Sequence, residues 1–95
     1  MEISTSSNIV TITGSIKTIR DFESIKSIIE EFKLSHKKIV IEIKDSISIT
    51  SSIIGYFNKL VLKDNISLEV KVGNDLLIEL FDDLNLTDVL NIKKI

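Results

Sequence analysis

The chain of 95 residues has no cysteine and no proline, and its only histidine is His36. The absence of cysteine excludes disulfide bonds, thiolate metal sites and cysteine nucleophiles. A single histidine leaves few of the groups that acid–base catalysis and metal binding use most often. The sequence therefore argues against an enzyme, and we expect no cofactor.

Charge of one sign is also lacking, because 12 basic and 14 acidic side chains are mixed along the chain and give a net charge of -2. Such a balance provides no basic surface for nucleic acid or for an anionic membrane. No apolar run approaches the roughly 20 residues of a membrane helix, and residues 1–5 lack the features of a signal peptide. We expect a cytoplasmic protein with no nucleic-acid partner and no membrane insertion.

The residues that are present suit one globular domain over residues 1–95, since 43% are hydrophobic and 27% are charged. Alternating β-branched residues predict strands at about 8–13, 39–43 and 67–72, with an edge strand near 2–4 and a last short strand near 92–95. The segment 6–8 is the predicted turn of the first hairpin. Gly14 ends the strand at 8–13.

Apolar residues spaced by three and four predict helices at about 18–34, 52–63 and 75–84. Thr18 and Asp21 resemble a capping box, residues 35–38 supply positive charge at the end of the first helix, and Asn85 ends the third. The second helix is capped by Thr50, Ser51 or Ser52. The inward-facing residues predict a core of Ile12, Ile25, Ile28, Phe32, Ile41, Phe57, Leu60, Val70, Leu77, Leu80 and Phe81.

The alternation of strands with helices predicts an α/β fold with right-handed crossovers and a largely parallel sheet. The first hairpin makes the sheet mixed, with four to five strands and three to four helices. The candidate site is the hydroxyl-rich loop 45–52, because open α/β sheets carry their sites at the carboxyl ends of the strands. The first-turn N–H groups there favour an anion or a phosphorylated hydroxyl. The alternative is a serine-rich connection that only caps a helix.

Two acidic residues near this loop allow a second chemical interpretation. Glu42 and Asp45 could form a carboxylate pair, or each could be a strand-end acid satisfied by nearby loop amides. The only histidine, His36, lies in a lysine-rich helix end and is expected to be solvated. A catalytic or ligand-binding α/β domain is therefore kept only as a third hypothesis.

The segments 39–44 and 49–55 resemble the STAS domain, the fold of bacterial anti-sigma-factor antagonists. The family has an apolar strand ending in an acid, then Asp-Ser-x-Gly-Leu at a helix start. Here Glu42 is the strand acid and Ser51 falls on the phosphorylatable serine, while Thr50 and Ile53 replace the family's Asp and Gly. The segments 14–17 and 70–74 also resemble the family, with Lys17 in place of the Asp before the first helix.

The resemblance implies a protein-interaction module in which Ser51 is phosphorylated, with Ser52 as the second choice. The implied partner is a serine kinase that also acts as an anti-sigma factor. The alternative is an accessory STAS domain that binds a transporter or sensory component constitutively, without phosphorylation. The expected partner-binding residues are Thr50, Ser51, Ser52, Tyr56 and Lys59, since helical phase predicts Phe57 in the core and Tyr56 on the surface.

Overall fold

The structure is a computed structural model that describes residues 1–95. Two strands come first, and helices then alternate with strands. The elements are β1 (Glu2–Ser6), β2 (Ile9–Thr13), α1 (Ile19–Phe32), β3 (Lys38–Ile43), α2 (Ser51–Leu62), β4 (Ser67–Val72), α3 (Asp75–Asp83) and β5 (Ile92–Lys94). This α/β fold, with a mixed five-stranded sheet and three helices, confirms the predicted fold class.

The five strands lie side by side in chain order. β1 is antiparallel to β2, and all other neighbouring pairs are parallel. Each parallel connection moves one strand further in the same direction, so right-handed crossovers place the three helices on one face of the sheet. Burial agrees with this arrangement, because the aligned residues Val10 and Ile41 are fully buried, whereas the next aligned pair, Thr11 and Glu42, is partly exposed.

Side-chain caps fix the residue at which each helix begins. The Thr18 hydroxyl accepts a hydrogen bond from the Asp21 N–H at 3.1 Å, and the Asp21 carboxylate accepts one from the Thr18 N–H at 3.1 Å. This reciprocal pair is the predicted capping box. Thr50 caps α2 and Asn74 caps α3 through their side-chain oxygens. Polar side chains satisfy first-turn N–H groups that no intrahelical bond can reach.

The end of α1 differs from the prediction. Residues 35–38 were expected to bring positive charge to the helix C-terminus, yet α1 ends at Phe32 and no basic residue lies in its last turn. Lys33 takes the C-cap position, and its N–H donates to the carbonyl of Ile29 at 2.9 Å. Lys38 instead begins β3, where it pairs with Ser67 of β4. Strand pairing therefore determines the role of this lysine.

One apolar cluster fills the space between the sheet and the helices. The prediction is wrong for Ile28, Phe32 and Leu80, which are only partly buried. These residues lie on α1 and α3, the two outer helices, and no further helix covers their outer sides. The other predicted core residues are fully buried: Ile12, Ile25, Ile41, Phe57, Leu60, Val70, Leu77 and Phe81.

The first hairpin is longer than predicted. β1 extends to Ser6 and pairs along its whole length with β2. The chain then reverses through Ser7 and Asn8, and Ser7 has a positive φ of 54°. A two-residue hairpin turn needs such backbone angles to match the twist of the strands. The predicted edge strand is thus present, with an outer side that no other strand covers.

Candidate functional site

Three loops meet at the edge of the sheet where the parallel strands end. They are residues 14–18 after β2, 44–50 after β3 and 73–74 after β4. Because neighbouring parallel strands end at the same edge, the predicted site at 45–52 lies between the other two loops. All three helices begin at this edge, so their first-turn N–H groups face it. We call it the carboxyl edge.

The first half of the loop after β3 is tied to the loop after β2. The Gly14 N–H donates to Asp45 Oδ1 at 2.7 Å, and the Ile16 N–H donates to Ser46 Oγ at 3.1 Å. The Ser46 hydroxyl also donates to the carbonyl of Ser48 at 2.7 Å, and Ser46 is fully buried. Ser46 therefore holds the two loops together. Sequence analysis did not single it out, because it stands among other serines with no local signal of burial.

Gly73 brings the third loop against the same segment. A Cβ atom at Gly73 would collide with the carbonyl oxygen of Lys44, so only glycine allows the two backbones to approach this closely. The Gly73 N–H donates to the carbonyl of Ile43 at 2.9 Å, which extends the pairing of β3 with β4 by one bond. The carboxyl edge is thus built from three mutually fixed loops.

The start of α2 presents two hydroxyl groups to solvent. Thr50 is the N-cap, and its Oγ1 accepts a hydrogen bond from the Ile53 N–H at 3.3 Å. Ser51 and Ser52 are the first two helical residues, and both are exposed. The first turn contains no acidic residue, although a negative charge at this position is favoured by the helix dipole. Thr50, Ser51 and Ser52 lie together at the start of α2.

Tyr56 is buried, which makes the prediction of a surface position wrong. Its side chain is only 5% exposed, and its hydroxyl donates to Glu30 Oε2 at 2.6 Å. The ring also packs edge-on against Phe22 of α1, with ring centroids 6.1 Å apart. Helical phase predicted the side of α2 that faces the sheet, but α2 also packs against α1, and Tyr56 lies in that second contact. Tyr56 is not available to a partner at the surface.

Charged groups continue the contact between α1 and α2. Lys33 Nζ lies 2.8 Å from Glu30 Oε2 and 2.7 Å from Asp64 Oδ2, while Lys59 Nζ lies 3.1 Å from the same Asp64 oxygen. The hydrogen bond from Lys33, followed by that from Tyr56, lowers the pKa of Glu30. Hydrogen bonds from Lys33 and Lys59 lower the pKa of Asp64. We call Glu30, Lys33, Tyr56, Lys59 and Asp64 the interhelix cluster.

Lys59 is exposed, but it lies away from the helix start. Its side chain is 47% exposed and is paired with Asp64 in the turn after α2. Lys59 is eight positions after Ser51, which corresponds to a rise of about 12 Å along the helix. A partner seated on Ser51 would therefore reach Lys59 only at the rim of its contact.

Sequence analysis missed three exposed apolar side chains around the carboxyl edge. Ile19 is the first residue of α1, Ile47 lies in the loop before α2, and Leu76 is in the first turn of α3. They are 76%, 58% and 61% exposed, respectively. No local signal separates Ile47 from Ile49, which lies in the same loop and packs against the core.

The remaining candidate groups, Glu42, Asp45 and His36, each have their own contacts. Glu42 Oε1 accepts a hydrogen bond from the Thr11 hydroxyl at 3.0 Å, whereas Asp45 is bound to the Gly14 N–H. The two carboxylates therefore have separate partners. Asp45 is satisfied by a loop amide, as one of the two interpretations expects. Glu42 is satisfied by a hydroxyl and not by an amide. His36 packs on the Phe32 ring at 5.2 Å.

No group of three or more histidine, aspartate or glutamate side chains has the arrangement that could hold a metal ion. None of the three helices combines the length and the apolar character that crossing a membrane requires. Comparison with family models, with curated proteins and with solved structures finds no match to this chain.

Proposed function

We propose that this protein is a STAS-like interaction module that binds a protein partner at its carboxyl edge, with Ser51 as the regulatory hydroxyl. The observation that carries the proposal is the position of Ser51: it is exposed and is the first residue of α2. The resemblance to the STAS domain implies a phosphorylatable serine at the start of the second helix. The order of elements and the mixed sheet support this resemblance.

The start of α2 suits a group that gains negative charge. A phosphoserine carries about -1.5 to -2 charges at pH 7. At Ser51 the phosphate would meet free first-turn N–H groups and the positive end of the helix, so the domain tolerates it. A partner seated on the same surface must instead desolvate the phosphate or oppose its charge. Phosphorylation would thus release the partner while the domain stays folded.

Thr50 explains how the site works without the acid that the STAS pattern has at this position. Its hydroxyl oxygen binds the Ile53 N–H and so performs the capping that an aspartate performs equally well. The helix start is therefore kept, and the replacement removes a negative charge next to Ser51. Recognition by a kinase must then depend on contacts other than a negative charge at residue 50.

The implied partner is an anti-sigma-type serine kinase encoded in the same genome. Incubation with that kinase and ATP, followed by mass spectrometry, is expected to add one phosphate to Ser51. Ser52→Ala is the matched control and should still be modified, whereas Ser51→Ala should not. Modification of Ser52 alone, or none at all in the parent, contradicts the assignment of Ser51 as the regulatory hydroxyl.

A second candidate function is constitutive binding to a transporter or sensory component. The exposed apolar side chains of Ile47 and Leu76 favour it, since such contacts give affinity without any modification. Measuring partner binding by two variants distinguishes the two functions. Ser51→Asp should weaken binding at least tenfold in the switched module, while Ile47→Ser should weaken binding in both.

Lys59 is assigned to the rim of the proposed contact. Rim charges change association rates more than affinity. Lys59→Glu should therefore lower the association rate in low salt, and Lys63→Glu, at the end of the same helix, serves as the matched control. An equal effect of both substitutions would show that Lys59 has no specific role.

A further inference from the structure

The two outermost strands of the sheet, β1 and β5, differ in how well they are protected against pairing with another strand. At one edge, β5 has only three residues, and Lys93 and Lys94 are held in ion pairs with Glu69 and Asp75 at 3.3 and 2.7 Å. At the other edge, β1 has five residues with no lysine, no proline and no bulge. Short strands and lysines are the usual protection of a sheet edge, and β1 has neither.

A groove runs along the same edge. It has a volume of about 460 Å³ and lies between β1 and the second half of α1. Its lining mixes apolar and polar side chains: Ile3, Thr5, Ile28, Glu31, Phe32, Ser35 and His36. Ile3, Ile28 and Phe32 are only partly buried, and the last two are the positions at which the core prediction fails on α1. The outer side of β1 thus has backbone N–H and C=O groups without a strand partner, and partly exposed apolar side chains lie beside them.

We propose that this edge pairs with a second copy of the chain through an antiparallel contact between the two β1 strands. A two-fold axis perpendicular to the sheet would join the sheets into one of ten strands and bring the two α1 helices to the same side, because both helices lie on the same face. Such a contact uses the same surface on both copies and closes on itself. It therefore forms a dimer and not a filament.

One register pairs all five residues of β1 with those of the second copy. This register is centred on Ser4, so Ser4 faces Ser4 of the second copy, Ile3 faces Thr5, and Glu2 faces Ser6. No like charges lie opposite one another, which antiparallel pairing requires. Ile3 and Thr5 alternate with the other residues and lie on the helix side, so the two grooves join over the paired strands.

The expected contact is small, which makes the dimer weak and reversible. The edge is about 17 Å long for five residues and about 20 Å deep for a strand layer and a helix layer. It buries several hundred Å² per copy, below the roughly 800 Å² per partner of a standard stable interface. We therefore expect a dissociation constant in the micromolar to millimolar range.

Sedimentation equilibrium of the full chain from 10 µM to 1 mM tests the proposal. The average mass should rise with concentration from 10.7 kDa towards twice that value. Ser4→Lys places two lysines opposite each other and should weaken association at least tenfold. Ser6→Lys places the same residue opposite Glu2 of the second copy and should strengthen association about threefold at low salt, with the gain lost at 0.5 M salt.

These two variants are matched, because Ser4 and Ser6 are both exposed and lie on the same strand and the same face of the sheet. Urea unfolding of each variant at low concentration should match the parent, which separates association from folding. A parent that stays at 10.7 kDa up to 1 mM overturns the proposal. So does a dimer in which both lysine substitutions change the association constant in the same direction.

Discussion

Ser46 lies in the connection between β3 and α2, and Ser51 is the first residue of α2, yet the two serines have opposite environments. Ser46 is fully buried, and its hydroxyl accepts from the Ile16 N–H in the neighbouring loop and donates to the Ser48 carbonyl in its own loop. Ser51 is exposed at the start of a helix whose cap, Thr50, already satisfies the Ile53 N–H. The first half of the connection therefore maintains the structure. The Ser51 hydroxyl makes no hydrogen bond to the rest of the chain, so its chemistry can change while the Thr50 cap is kept.

The same contrast appears along α2. Ser51 and Ser52 of its N-terminal turn are exposed, whereas Tyr56 is enclosed between α1 and α2 and bound to Glu30. The helix is fixed by its middle, through Phe57 against the sheet and Tyr56 against α1. A modification at Ser51 therefore changes the surface charge at a rigid position, and this is what a partner-binding switch requires.

The largest expected effect is a loss of folding stability, which should be greater for a fully buried residue than for one at the border of the core. Phe57→Ala should lower the free energy of unfolding by about 3 to 5 kcal/mol, because it leaves a cavity under α2. Phe32→Ala should cost about half as much, since Phe32 borders the open groove at β1. Urea denaturation of both variants measures the difference. Equal losses would show that Phe32 is covered in solution.

A smaller effect is expected from the buried hydroxyl of Tyr56. Tyr56→Phe keeps the ring against Phe22 but removes the hydrogen bond to Glu30. The loss should be about 1 kcal/mol, below the usual value for a bond to a charged group because Glu30 is 41% exposed. A double-mutant cycle with Glu30→Gln isolates the bond. A coupling energy of zero would remove Tyr56 from the interhelix cluster.

The interhelix cluster also predicts how stability depends on pH. The pKa values of Glu30 and Asp64 are lowered in the folded state by their hydrogen bonds to Lys33. Carboxylates with lowered pKa values stabilise the fold above their unfolded pKa values of about 4, and this contribution is lost as the pH falls through the lower folded values. The urea midpoint should therefore decrease from pH 6 to pH 3. The decrease should be smaller in Glu30→Gln, and an identical profile contradicts this account.

Much of the fold follows from patterns within single elements. The alternating residues of β3 and β4 and the three-and-four spacing on the helices predict the element order, because each pattern reflects one face turned to the core. The Thr18–Asp21 capping box was also predictable, since both partners lie within one helical turn. Local chemistry of this kind is readable from the sequence.

Features that depend on contacts between distant elements were not predictable. Tyr56 was expected on the surface because its burial depends on α1, which lies 26 residues earlier at Glu30. Ser46 is distinguished from its neighbouring serines only by a hydrogen bond to Ile16, 30 residues away. The exposure of Ile28 and Phe32 likewise depends on which helix lies at the edge of the sheet. Helical phase alone contains none of this information.

The most direct test of the central claim compares the same substitution at Ser46 and Ser51. Ser51→Asp should leave the free energy of unfolding within about 1 kcal/mol of the parent, because the new charge meets the helix N-terminus in solvent. Ser46→Asp should lower it by about 3 kcal/mol or more, because a carboxylate replaces a buried hydroxyl that both donates and accepts. Urea denaturation of the two variants gives both values. Similar losses at the two positions would contradict the claim that the start of α2 is free to carry a regulatory charge.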